Sequence, residues 1–403
     1  MKERVVITRV SALTPIGNNL DEIKRNLYNG CSGINYISRF NTDDFAVKHA
    51  GEIELQELGT ISYPEEMNIQ GKMFYYTLTN LLSKLELPYA KDRIGCLIGT
   101  DPNIASLSNL EQLFGSNDEL KVNDINATNP MSLLYYASKY FNIHGPSFCN
   151  LGTCSASTQA IGSAYKMIKN KDIDAAIVGG ISSKIDPISV ARLSRLDALE
   201  ETQDNLKDNC RPFDKNRRGF TMSEGCVLFL LESETNARKR KAEILGVVSG
   251  YGAALDGYSI TDPHIDSKGM VLSMQRALED SGIEYNQVDY INAHGTGTIK
   301  NDLYETKAIK QVFKEKAYKM DISSTKSMHG HLMTAAGAME VLVCLLAIKH
   351  KFVPPTIHLQ DADENCDLFY NPKNKKDKNI EHAISNSFGL GGQNASLVIS
   401  KLV

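Results

Sequence analysis

Four features are not expected from the residues of this 403-residue chain: a secretory leader, a membrane span, paired cysteines and a partner recruited by a large excess of charge. The opening residues, MKERVVITRV, contain no apolar stretch of the kind read for export. No run of about 18 apolar residues follows, so a membrane span is not expected. The eight cysteines stand apart at 31, 96, 149, 154, 210, 226, 344 and 366, without a Cys-x-x-Cys pair. Cys96 and Cys344 sit inside apolar runs, as buried free thiols do in a reducing cytoplasm, and a cytoplasmic location is expected. Forty-four basic against 48 acidic residues leave a net charge of −4, which gives no reason to expect nucleic acid or an anionic membrane as partner.

What is present is ordinary for a globular protein, with 42% hydrophobic and 23% charged residues. The length implies two or three folding units. Apolar runs of strand length occur at 5–7, 94–98, 175–178, 227–231, 244–248, 288–291 and 397–399. Helical periodicity fills 158–168 and 335–348. Strands without a polar face imply sheets covered by helices on both sides, an α/β fold. The order of elements repeats: strand, covering helix, strand, buried helix, strand. We therefore expect two duplicated halves, 1–245 and 246–403, with no Pro- or Ser-rich linker between them. The charge run NPKNKKDKN at 371–379 is expected to be a solvated loop.

Four segments carry chemistry. In GPSFCNLGTCSASTQAIGSAYKMI, Cys154 stands where a strand passes through Gly152 and Thr153 into a helix. A helix start offers a thiol the positive end of the macrodipole and free backbone N–H groups; an inert buried cysteine is the alternative. In DYINAHGTGTIKND, His294 is released at the carboxyl end of a strand, where α/β sheets place ligand groups. Thr296 and Thr298 follow with hydroxyls; a histidine that satisfies a turn is the alternative. In ISSTKSMHGHLMTAAGAME, Lys326, His329 and His331 precede a small-residue helix, without a carboxylate or cysteine at metal-ligand spacing. In AISNSFGLGGQNASLVI, a Gly-rich turn joins two strands. A strand follows it rather than a helix, so phosphate-loop mechanics do not apply.

Together, in this order, the four segments resemble the elongating β-ketoacyl-acyl carrier protein synthases of the thiolase-like superfamily. RPFDKNRRGFTMSEG (211–225) and KFVPPTIHL (351–359) look like further stretches of that family, and the likeness runs over nearly the whole chain. The resemblance implies a five-layered α-β-α-β-α fold and a decarboxylative Claisen condensation, in fatty acid or type II polyketide elongation. It implies Cys154 as the nucleophile, with His294 and His331 holding the extender thioester and Lys326 ordering the histidine pair. Backbone N–H groups of Cys154 and Leu390 would form the oxyanion hole. Thr296, Thr298, Phe388, Leu390 and Leu193 would line the pantetheine and acyl path. No metal or other cofactor is implied; substrates would arrive on the phosphopantetheine of an acyl carrier protein. The enzyme would act as a homodimer, or as a heterodimer with a chain-length-factor paralogue that lacks the cysteine.

Three departures accompany the likeness. Leu390 and Leu193 occupy positions where the family's gates carry Phe, which implies a less strictly timed acyl pocket. Basic residues for carrier docking reduce to Lys72, with Arg192 and Arg195 as further candidates. A thiolase would require a second cysteine within 386–394, and there is none.

Overall fold

Apolar side chains on both faces of a strand can be satisfied only between two helical layers, and most of the ten main strands meet that condition; Ser147–Asn150, at one sheet edge, stays open to solvent. The computed structural model describes residues 3–64, 67–102, 129–371 and 376–402. Its strands are β1 (Val5–Leu13), β2 (Ile94–Gly99), β3 (Ser147–Asn150), β4 (Ala175–Ser182), β5 (Gly225–Ser233), β6 (Gly246–Leu255), β7 (Tyr290–Asn292), β8 (Asp321–Ser323), β9 (His382–Gly389) and β10 (Gln393–Ser400). They form one continuous sheet in the order β8-β7-β9-β10-β6-β1-β5-β4-β2-β3. Outward from the seam, where Val5–Ile7 of β1 pairs with β6, the two arms have the same order and pairing sense. Each starts with two antiparallel pairings, β1-β5-β4 and β6-β10-β9. Each ends with two parallel ones, β4-β2-β3 and β9-β7-β8.

The arms enclose two helices, α4 (Ala156–Lys169) and α8 (Ala336–His350). On one outer face lie α2 (Ile69–Leu82) and α3 (Ser132–Phe141), and on the other α6 (Lys268–Ser281) and α7 (Ile299–Phe313). The result is a five-layered α/β fold with its main core between the arms, as the apolar strands require. Shorter helices include α1 (Leu20–Asn29) and α5 (Pro187–Ser194).

Helix α8 is buried from Ala336 through Ile348, Glu340 included. A helix surrounded on every side has no use for a polar face. Met333–His350 is consequently long and apolar enough to cross a membrane by length and composition, although it carries Glu340 and Lys349 and 83% of it lies inside the protein, as in the core helix of a globular fold. Close approach of α4 to the strand ends explains two glycines. A Cβ at Gly99 would stand 2.3 Å from the Ser157 nitrogen, and one at Gly180 would stand 2.6 Å from the Ser157 Cβ. The 371–379 segment also departs from expectation. Residues 372–375 lie outside the described residues, but Lys376 and Lys378 both pair with the buried carboxylate of Asp321, at 2.7 and 2.6 Å, instead of simply facing solvent.

Candidate active site

The first element of the site is a turn. Thr153–Ser155 winds tightly ahead of α4, and Thr153 takes φ 52°, a left-handed value that lifts Cys154 out of the helix path. The Thr153 hydroxyl donates to the Leu390 carbonyl at 3.1 Å, so the Gly-rich turn after β9 is tied against the cysteine. Gly389 makes this possible, since a Cβ there would meet Thr153 Oγ1 at 2.2 Å. The backbone N–H groups of Leu390 and of Cys154 itself both reach the sulfur.

His294 leaves the end of β7 and is held by its backbone. The Glu305 carboxylate on α7 accepts the N–H of His294 at 2.8 Å and of Gly295 at 2.7 Å. Lys326 follows β8 and bonds the His294 carbonyl at 2.6 Å and its Nδ1 at 3.2 Å, while its opposite charge is the buried Glu340 carboxylate on α8. His331 sits after Gly330, which takes φ 70°, and accepts the Met333 N–H on Nδ1 at 3.1 Å. With both Nδ1 atoms accepting, each ring carries its proton on Nε2. His331 Nε2 is buried and has no hydrogen-bond partner among the described residues.

The Cys154 sulfur and the ring nitrogens of His294 and His331 all lie within 4.8 Å of one another. The two rings meet edge to face, 5.4 Å between centroids. Phe388 on β9 packs its ring 5.9 Å from His294, and Phe220 lies 5.0 Å from His331. Burial, reinforced by Lys326, holds both imidazoles well below the usual histidine range, so they are neutral donors. Burial likewise raises the Glu340 carboxyl to about 7, against the pull of Lys326.

The thiol departs from expectation. The helix start was expected to favour the thiolate, but burial dominates and raises Cys154 to about 11; Lys326 and the two backbone N–H groups offset only part of it. The other expected residues fall near the trio in different ways. Thr296 and Thr298 bond each other through their hydroxyls at 2.8 Å at the mouth of the β7 loop. Leu390 is half-buried beside the sulfur. Leu193, on α5, packs in a separate apolar group that also holds Phe220 and Met333. Arg192 and Arg195 are exposed on the same helix, and Lys72 on α2 lies over the Tyr63 ring. His329 turns away, bonding the Gly330 carbonyl and Thr325.

Glu305, Glu340 and Phe220 were not singled out from the sequence. A carboxylate inside an otherwise apolar helix was the available signal for Glu340. Glu305, on a helix rich in charged residues, offered none.

A mixed α/β sheet folded around two buried helices, with a cysteine and one neutral imidazole ahead of those helices and a second imidazole at a strand end, defines a condensing enzyme of thiolase-like fold. The models of the β-ketoacyl synthase N-terminal and C-terminal domains match residues 2–237 and 245–360, and the chain belongs to this β-ketoacyl synthase family. It is 36% identical to a 3-oxoacyl-[acyl-carrier-protein] synthase 2 of Synechocystis, covering 99% of this chain and 98% of the relative. A protein of the same name from Coxiella burnetii is 33% identical, covering 100% and 99%. Among solved structures, an ishigamide ketosynthase/chain length factor aligns with a TM-score of 0.92 at 28% identity over 100% of both chains. A type II polyketide ketosynthase, solved with its acyl-carrier protein and bound to a hexaketide, aligns at 0.91 and 27% identity, again over 100% of both. The chain is thus a ketosynthase, an acyltransferase-type enzyme.

Proposed function

We propose that the enzyme condenses an acyl group held on Cys154 with a malonyl unit delivered on an acyl carrier protein. The supporting observation is the approach of one sulfur and two imidazoles to within 4.8 Å, with the backbone N–H groups of Cys154 and Leu390 aimed at the sulfur. The sulfur attacks the acyl thioester of the first carrier. Its C–S bond breaks, and the proton lost by Cys154 ends on the departing carrier thiol. The two backbone N–H groups stabilise the oxyanion of that step. The malonyl thioester carbonyl then accepts the Nε2–H groups of His294 and His331. As CO2 leaves, the electron pair of the broken C–C bond becomes an enolate, which attacks the acyl carbonyl on Cys154 and releases the sulfur. Lys326 positions His294 through Nδ1 and the backbone.

We further infer that the chemistry needs no metal. Three ligand atoms at this spacing could face a cation, but Lys326 Nζ, already bonded to His294 Nδ1, would repel it. Thr296, Thr298, Phe388, Leu390 and Leu193 are proposed to line the pantetheine and acyl path. Duplication of the halves 1–245 and 246–403 is also our inference, supported by the repeated strand order. A cytoplasmic dimer is proposed as the working form, either homodimeric or paired with a chain-length-factor paralogue. The ishigamide neighbour, a ketosynthase/chain length factor, supports the second arrangement, and the hexaketide-bound neighbour, solved with its acyl-carrier protein, supports the carrier as partner. The test is mass spectrometry of carrier-bound products after incubation with malonyl carrier protein, with and without a co-expressed paralogue. Absence of any β-ketoacyl product under both conditions refutes the proposal.

A further inference from the structure

The backbone of His331 is held by the extended segment 221–223. The Thr221 carbonyl accepts the His331 N–H at 2.8 Å, and the His331 carbonyl accepts the Ser223 N–H at 2.9 Å. On its other side the same segment is fastened to Gly51, whose N–H donates to the Met222 carbonyl at 2.9 Å and whose carbonyl accepts the Glu224 N–H at 3.1 Å. Space is short on both flanks. A Cβ at Gly330 would stand 2.8 Å from the Ser223 Cβ, and one at Gly51 would stand 2.5 Å from Ser223 Oγ. Segment 221–223 is thus the middle of three extended pieces, with His331 on one side and the short strand His49–Gly51 on the other.

That strand begins with a histidine that the condensation does not use. His49 is fully buried with both ring nitrogens engaged: Nδ1 lies 2.7 Å from Thr202 Oγ1, and Nε2 lies 3.0 Å from Thr221 Oγ1. Burial holds its pKa down at about 4, so the neutral ring donates through one nitrogen and accepts through the other. Thr202 Oγ1 accepts the Lys48 N–H at 2.6 Å, which leaves its own hydrogen for Nδ1 and the Nε2–H for Thr221. Thr221 in turn faces the Cys210 sulfur with its hydroxyl and its N–H. The Cys210 thiol donates to the Lys326 carbonyl at 2.9 Å. Thr221 therefore stands at a fork. Its carbonyl leads to His331, and its side chain leads through Cys210 to Lys326, which bonds His294. His49 holds the root of that fork.

We infer that His49 is a positioning residue: it fixes Thr221, and through Thr221 the spacing between His331 and Lys326 on which the two imidazole donors depend. The inference rests on the ketosynthase function proposed above and deepens it. Packing alone would be served by a phenyl ring, which fills similar space with no polar atoms to satisfy. A fully bonded buried network instead rigidifies one arrangement, and a misplacement of about 1 Å in groups aimed at a reacting carbonyl can cost about 10²-fold in rate. The backbone nearby is also under constraint. Cys210, not a glycine, takes φ 52°, and its N–H is held by the buried Glu200 carboxylate at 2.6 Å.

The experiment follows two half-reactions of the full-length enzyme: self-acylation from acyl carrier protein, read by intact-protein mass, and CO2 release from malonyl carrier protein. His49→Phe keeps a planar ring and removes both bonds. CO2 release is expected to fall about tenfold while self-acylation stays within about twofold of native. His49→Gln again offers an acceptor toward Thr202 and a donor toward Thr221, and should restore CO2 release to within about threefold of native. Thr221→Val removes the hydroxyl at the fork and should show the same split. The double variant His49→Phe/Thr221→Val should be no slower than the slower single one, because both changes break one path. Circular dichroism checks folding, and if His49→Phe does not fold, Thr221→Val decides. Equal losses in both half-reactions, no loss in either, no recovery in His49→Gln, or additive losses in the double variant overturn the inference and leave the ketosynthase function standing. If the native enzyme performs neither half-reaction, the ketosynthase function falls, and this inference with it.

Discussion

Two turns at the centre of the molecule have nearly the same backbone and carry different chemistry. Thr153–Ser155 leads into α4, and Met333–Ala335 leads into α8. Thr153 and Met333 take φ 52° and 50°. Ser155 and Ala335 take φ/ψ of −92°/0° and −90°/−5°, and Ala156 and Ala336 follow at −55°/−49° and −55°/−50°. Neither left-handed position is a glycine, so each turn bears a strain that its surroundings must hold. The middle residue differs: Cys154 in one, Thr334 in the other. The first turn offers its sulfur to the cavity shared with the histidines. The second spends its hydroxyl on Ile181 and donates its own Met333 N–H to the His331 ring. One backbone device thus presents the thiol proposed as nucleophile on one side and orients the imidazole proposed as donor on the other. Local conformation did not decide the roles; the side chain in the middle position and the residues facing it did.

The comparison breaks first at the sulfur. Cys154→Ala should abolish acyl-enzyme formation, seen as complete absence of the acyl mass adduct; a surviving adduct would place the nucleophile elsewhere. Because Cys31 is exposed and Cys154 is buried, a general thiol alkylator will modify Cys31 as well, and only the acyl adduct is diagnostic.

Next in size is the donor side. Replacing His331 or His294 with Ala should slow CO2 release from malonyl carrier by about 10²–10³-fold, the cost of one oxyanion donor, while self-acylation falls much less. Measuring the two steps separately decides the matter, and equal losses in both would argue against a division of labour between the turns.

The thiol itself sharpens the contrast through pH. Burial raises the Cys154 group to about 11, so near neutrality the neutral thiol dominates and the reactive thiolate fraction grows with pH. The rate of Cys154 acylation should rise about tenfold per pH unit between 7 and 9. A flat profile over that interval would mean that the thiolate is already formed, as the helix start alone suggested.

The smallest effect lies at the partner of the cysteine. Thr334→Ala removes the bonds to Ile181 and Asp101 and should cost about 1–3 kcal/mol in denaturant unfolding, since it leaves a buried acceptor unmet. Acyl-enzyme should still form, unlike in Cys154→Ala.

The residues proposed to act on substrate were legible one segment at a time. Each lies where its element ends, and an element's end shows in the sequence as small residues after an apolar run: Gly152-Thr153 before Cys154, Gly295 after His294, Gly330 before His331. The groups that hold them were not. Glu305 reaches the His294 backbone from a helix that begins five residues beyond it in chain order, and its neighbours on α7 are charged like any solvated face. Phe220 contacts His331 across 111 residues. The left-handed turns were equally hidden, because Thr153 and Met333 are residue types that give no sign of a positive φ.

The amino-acid sequence by itself determined the α/β class, the buried central helices and the three side chains that converge at the candidate site, because apolar periodicity and chemically scarce residues are local signals. Only the tertiary structure decided that the thiol is neutral at rest and that both imidazoles donate through Nε2. Those properties depend on burial and on the distances between groups far apart along the chain, which no local pattern of residues encodes.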